Sequence, residues 1–242
     1  MSELWFGFEM EKMTFEEHEA LVVIPKEADA KRRLAIKTEY WDAFPEAIEI
    51  DLVKKGFHLC FIKNNDRWGT QEDLDRKARF IRFVQEKYNL CDTCVPVGMS
   101  CGGLFAIKLA GNYPELVSCL YVDAPVLNYY SCPCSFGAAK PFYAGIVELQ
   151  NALKFKEFYD LFSYRDMPMH HLPSLVKHRI PAVVVTGDSD TVVPYTENGI
   201  MLEQDYRAAG IEIEVFTKPG GDHHPHGLPD NTPVLNFILT HS

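Results

Sequence analysis

Apolar residues fall along this chain in two rhythms. Short dense runs such as HEALVVIP, RRLAIKTEY, FHLCFIKN, CVPVGM, SCLYVDAP, IPAVVVTGD and IEIEVFTKPG, rich in Val, Ile, Leu and Phe, read as strands. WFGFEM reads as one more, forming a hairpin with HEALVVIP. Between the runs, apolar positions recur three and four apart. The stretch WDAFPEAIEIDLVKKG carries Ala47, Ile48, Ile50, Leu52 and Val53 at helical spacing and stops at Gly56. Leu74, Ala78, Ile81, Phe83 and Val84 mark a long amphipathic helix from Gln71 to Tyr88. Further helices are predicted directly after Ser100, from about Glu197 to Ala209, and over NTPVLNFILTHS. In the last, Thr232 is the expected N-cap and Pro233 the first helical residue.

Strands alternating with helices predict an α/β fold, a mostly parallel central sheet covered by helices on both faces. No repeat or linker interrupts it, so residues 1–242 are read as a single domain. The rhythm breaks only across residues 127–178, with Cys-Pro-Cys, the aromatic FKEFYDLFSY and MPMHHLP. A mostly helical insertion is expected there, capping the carboxyl ends of the strands, where ligands bind in such sheets.

Composition removes whole classes of function. A net charge of −10 argues against nucleic acid, whose phosphates need a basic face. No apolar run approaches the roughly 18–20 residues of a membrane span. The N-terminal residues lack the basic and apolar blocks of a secretion signal, so a cytoplasmic protein with reduced thiols is expected. Among seven cysteines, Cys91 and Cys94 have CxxC spacing, and Cys132 and Cys134 flank Pro133. A four-thiolate zinc site is conceivable on that count. Cys91–Cys94 runs straight into a core strand, however, and no histidine accompanies either pair. Incidental thiols are expected, with neither metal nor cofactor.

The candidate chemistry begins at Gly98-Met99-Ser100-Cys101-Gly102, a G-x-S-x-G segment with a strand before it and a helix after it. A serine at such a corner stands clear of the sheet, beside helix amides that favour negative charge. A nucleophilic hydroxyl needs a base, and the base an orienting acid. GDSDTVVP ends one later strand with Asp188 and Asp190, and KPGGDHHPHGL ends the last with His223, His224 and His226. The order Ser, Asp, His is that of the hydrolase triad.

On GMSCGG, GDSDTVVP and GGDHHPHG the chain resembles the α/β-hydrolase superfamily, including bacterial hydrolases of loosely defined function. The resemblance implies Ser100 as nucleophile, Asp190 as acid and His223 as base. His224 is the competitor for the last role, because Asp222 stands where the pattern often has glycine. Asp188 would fix its turn, His226 would be structural or line the pocket, and Asp123 is a fallback acid. The oxyanion hole would use the Cys101 N–H and a donor from Trp41 to Phe44, most simply Trp41, since no HG motif is present there. The function expected first is hydrolysis of a small to medium carboxylic ester through an acyl-enzyme, with a peptidase or amidase, or a silent hydrolase fold that binds a ligand, as alternatives. A metal held by Asp222, His223, His224 and His226 is the least favoured reading, because adjacent histidines on one short loop rarely converge.

Overall fold

Nine strands joined by five parallel and three antiparallel ladders form one sheet in the order β1-β2-β3-β5-β4-β6-β7-β8-β9. A computed structural model describes residues 3–43 and 47–242. In chain order the elements are β1 (Glu3–Trp5), β2 (Phe8–Phe15), β3 (His18–Ile24), β4 (Leu34–Lys37), α1 (Ala47–Lys54), β5 (His58–Ile62), α2 (Gln71–Tyr88), β6 (Cys94–Met99) and α3 (Cys101–Asn112). After these come β7 (Leu120–Asp123), α4 (Tyr143–Ala152), α5 (Leu172–His178), β8 (Ala182–Gly187), α6 (Gly199–Ala209), β9 (Ile213–Lys218) and α7 (Thr232–His241).

Side chains alternate across the sheet because successive residues of a strand face opposite sides. Ala182 and Val184 of β8 join the core beneath α2, α3, α5 and α6, and Val183 and Val185 join the core beneath α1 and α7. Both faces of the central strands are therefore dry, which is why those runs read as continuously apolar. The first ten residues of α3 are all buried, so this helix occupies the middle of its layer. Helix α2 has the predicted bounds, begun by Thr70, whose hydroxyl accepts from the Asp73 N–H, and ended by Asn89 in a left-handed conformation.

Three expectations change. WFGFEM is not one strand: Phe6 and Gly7 both take positive φ (46° and 84°) and reverse the chain, so that Trp5 pairs with Phe8. Helix α7 is capped by Asn231 rather than Thr232, because Asp230 accepts the Thr232 N–H and pulls that residue into the first turn. The 127–178 segment is less helical than its composition suggests. Only α4 and α5 are α-helical, with 3-10 turns at Phe158–Ser163 and Pro168–His171. Its aromatics stack on one another instead: Phe136 lies 6.3 Å from Tyr130 and 6.0 Å from Phe162, rings nearly parallel. Buried Lys108 of α3 reaches up to Asp166 at 2.6 Å and anchors the segment to the sheet layer.

Candidate active site

Ser100 occupies the corner between β6 and α3 with φ 54° and ψ −118°, a conformation that a non-glycine residue adopts only under constraint. The constraint comes from β7 and the segment after it. The Ser100 N–H donates to the Asp123 carbonyl at 2.9 Å, and the Ser100 carbonyl accepts from Val126 at 3.1 Å. Two glycines make the corner possible. A Cβ on Gly98 would lie 2.3 Å from the Gly102 carbonyl oxygen, and one on Gly103 would lie 2.5 Å from Pro125. Gly103, just outside the five-residue motif, is thus needed more than Gly102, whose nearest neighbour would be Thr38 at 3.2 Å.

Asp190 follows β8 and is buried. Its Oδ1 accepts the N–H groups of Val192 and Val193, both at 2.8 Å, and its Oδ2 faces His223 Nδ1 at 2.8 Å. Burial pushes this carboxyl up, but the His223 contact and the two loop amides outweigh it and hold it below the ordinary value. An ionised carboxylate only accepts, so Nδ1 of His223 carries the proton and Nε2 presents a lone pair. That Nε2 lies 3.1 Å from Ser100 Oγ. Asp190, His223 and Ser100 therefore form one continuous hydrogen-bonded chain. Asp188 is exposed and accepts the Gly220 N–H at 2.7 Å, tying the β8 turn to the histidine loop.

Asp123 and His226 pair with each other. Asp123 closes β7 and accepts from His226 Nδ1 at 3.0 Å and from the Gly227 N–H. The fallback acid therefore serves a second histidine, and His224 has neither carboxylate. The adjacent histidines do converge, contrary to the expectation from their spacing: ring nitrogens of His223, His224 and His226 lie within 4.8 Å of one another. Among the described residues they are the one group of three or more candidate ligands close enough for a single ion, and the cysteine pairs do not form another. All seven cysteines are free.

A cavity of about 340 Å³ opens over Ser100, lined by Tyr40, Arg67, Trp68, Cys132, Phe142 and the three histidines among others. Trp41 is not part of it. Its ring packs 5.4 Å from Trp5 and 5.7 Å from Phe61, at a different cavity, and Phe44 lies outside the described residues. Tyr40 lines this cavity instead, and its own φ of 56° turns the chain after β4. Burial, with Cys101 close by, keeps the Tyr40 phenol well above its ordinary value and so protonated. Burial likewise pushes the Cys101 thiol up to about 11, which leaves it a poor nucleophile beside the serine. Burial disfavours charge on Arg67, yet its contacts with Glu148 and Tyr40 hold it above the usual range. Arg67 donates to both Glu148 oxygens, at 2.7 and 2.9 Å, and thereby joins the strand ends to α4. No periodicity marks Arg67 or Trp68, which sit in the loop after β5. A Tyr beside the flagged 41–44 stretch was the available signal for Tyr40.

A nine-stranded, mostly parallel sheet with a serine corner after β6, a carboxylate after β8 and a histidine after β9 defines an α/β-hydrolase fold. The sequence profile of the prolyl oligopeptidase family matches residues 62–235, and the chain belongs to that family. No curated protein matches it significantly in sequence. Among solved structures, a protein from Bacteroides ovatus provisionally named dipeptidyl aminopeptidase IV superposes with a TM-score of 0.70 at 15% identity, over 96% of this chain and 35% of its own. A puromycin hydrolase gives 0.69 at 14%, over 94% and 37%. The acylaminoacyl peptidase of Pyrococcus horikoshii gives 0.65 at 12%, over 90% and 38%. The chain thus spans little more than a third of the length of these structures. Among the described residues no helix is long and apolar enough to cross a membrane.

Proposed function

We propose that this protein is a serine peptidase or amidase acting on short acyl-amide substrates, with Ser100 as nucleophile, His223 as general base and Asp190 as its orienting acid. The observation that carries the reading is the unbroken Asp190–His223–Ser100 hydrogen-bonded chain, at 2.8 and 3.1 Å, in a member of the prolyl oligopeptidase family. Nε2 of His223 takes the hydroxyl proton as Ser100 Oγ bonds to the substrate carbonyl carbon. Asp190 stabilises the imidazolium that results. The carbonyl oxygen, now an oxyanion, accepts from the Cys101 N–H at the start of α3 and from the Tyr40 hydroxyl. His223 then delivers its proton to the leaving nitrogen, the acyl group stays on Ser100, and water releases it by the same steps in reverse roles.

Family membership is what favours an amide over the ester expected from sequence. A triad able to expel an amine also expels a better leaving group, so ester turnover accompanies the activity. A cavity of about 340 Å³ is at the small end of ligand sites, which suits a substrate of modest size. Residues 127–178, which supply Cys132 and Phe142 to the cavity wall, act as its cap.

Matched aminoacyl and acyl-dipeptidyl p-nitroanilides and p-nitrophenyl esters test this reading. Turnover of at least one anilide, abolished together with ester turnover by Ser100→Ala, is expected. Ester hydrolysis with no anilide cleaved across the panel returns the protein to an ester hydrolase.

A further inference from the structure

The loop after β9 holds more imidazole than a triad uses. The rings of His223, His224 and His226 meet edge to face in a closed triangle, each pair of centroids 4.8–4.9 Å apart. Two of the three are backed by buried carboxylates, Asp190 behind His223 and Asp123 behind His226. Both carboxylates accept a hydrogen bond from an Nδ1–H, so both histidines keep an Nε2 lone pair. A carboxylate fixing the tautomer and direction of an imidazole is the arrangement that supports histidine ligands of a metal ion. His224 is exposed and completes the set from the solvent side.

We propose that His223, His224 and His226 together bind a borderline divalent transition-metal ion, Zn²⁺ in the first instance, and that the bound ion shuts the serine site reversibly. Three neutral imidazoles with no first-rank oxygen ligand select Zn²⁺, Cu²⁺, Ni²⁺ or Co²⁺ over Mg²⁺ and Ca²⁺. Tetrahedral zinc with Zn–N bonds of 2.0–2.1 Å places its ligand nitrogens roughly 3.4 Å apart, so nitrogens now within 4.8 Å must close by at most about an ångström and a half. Rotation of the exposed His224 ring supplies part of that movement, and a fourth position stays open to water. The ion occupies the same Nε2 of His223 that now lies 3.1 Å from Ser100 Oγ. A coordinate bond forms, a hydrogen bond is lost, and the hydroxyl has no acceptor for its proton. All three histidines line the cavity over Ser100, so ion and substrate exclude one another. The inhibition rests on the serine-hydrolase reading, and the binding does not.

Titrating Co²⁺ into the Ser100→Ala protein, followed by visible ligand-field absorption, measures binding without any turnover. One ion per chain and no near-ultraviolet thiolate band are expected. His224→Ala should weaken binding at least about tenfold, and Asp123→Asn, which keeps the side chain's shape, by roughly 10–100-fold. In the wild-type protein Zn²⁺ should inhibit, a chelator should restore the rate, and His224→Ala should need at least about ten times more Zn²⁺ to halve its own metal-free rate. No saturable Co²⁺ binding at millimolar concentration, a thiolate band pointing to Cys101 or Cys132, or unchanged affinity in both variants would overturn the site. Binding that leaves wild-type turnover untouched would overturn the inhibition alone, whereas turnover retained in Ser100→Ala would overturn the serine-hydrolase reading and leave the binding standing.

Discussion

Replacing Asp190 by asparagine changes one atom's charge and donor character while keeping the side chain's shape. In the native site one oxygen accepts from Val192 and Val193, and the other accepts from His223 Nδ1. An asparagine has one oxygen and one NH₂ for these two places. With NH₂ toward Val192 and Val193 it would oppose two donors that cannot move. With NH₂ toward His223 it opposes one donor, which can yield by moving its proton to Nε2. The second orientation wins because one imidazole can change tautomer and two backbone amides cannot. Nε2–H then points at Ser100 Oγ as a donor, and the hydroxyl loses its base. The same substitution in a serine protease of another fold lowers kcat about 10⁴-fold, which corresponds to roughly 5.4 kcal/mol of transition-state stabilisation. A loss of that order is expected here in steady-state turnover of the best ester or anilide, with KM nearly unchanged and thermal unfolding shifted little. Asp188→Asn, which only loosens the Gly220 contact, should retain most activity. Equal losses at the two positions, or a full loss confined to Asp123→Asn, would refute the assignment.

Tyr40→Phe should lower kcat about 10²–10³-fold with little change in KM, because an oxyanion donor acts only as charge develops; an unchanged kcat would leave Cys101 without a side-chain partner. Gly98→Ala puts a Cβ 2.3 Å from the Gly102 carbonyl oxygen, so a loss of about 3 kcal/mol is expected, read as a fall in Tm of roughly 6–12 °C. A fall below about 2 °C would mean that the elbow relaxes more easily than its contacts imply. Burial, reinforced by Arg32 and partly opposed by Asp29, holds His58 at about 4 against its ordinary 6.5. The unfolded chain therefore binds this proton first, and stability should fall as pH drops from 6.5 towards 4. The loss should reach about 3 kcal/mol at 1.36 kcal/mol per pH unit. Denaturant unfolding of wild type and His58→Leu across that range checks it, since the leucine variant should lack this slope.

The layered sheet was legible because burial on both faces leaves a near-continuous apolar run, and because α2 carries both its caps in sequence. The corner and the carboxylate were legible because each lies just beyond a strand of that kind; the histidine follows β9, a half-exposed edge strand, and was legible from the GGDHHPHG segment itself. Reading failed where conformation depends on single residues with positive φ. Phe6 splits the first strand, and Tyr40 rather than Trp41 lines the cavity over Ser100, yet neither residue type announces a left-handed backbone. It failed again across 127–178, where aromatic spacing compatible with a helix serves a stack of rings. Asp123 and His226 were each noticed alone; that they bond to each other follows from the parallel register of β7 and β8 and the return of the last loop, which no local pattern encodes.

The central claim is that His223 activates Ser100, and covalent labelling with a fluorophosphonate followed by peptide mapping tests it without knowledge of the substrate. A single adduct on the peptide carrying Ser100 is expected, with labelling slowed by orders of magnitude in His223→Ala and absent in Ser100→Ala. An adduct on another residue, or labelling of His223→Ala at the wild-type rate, would contradict it.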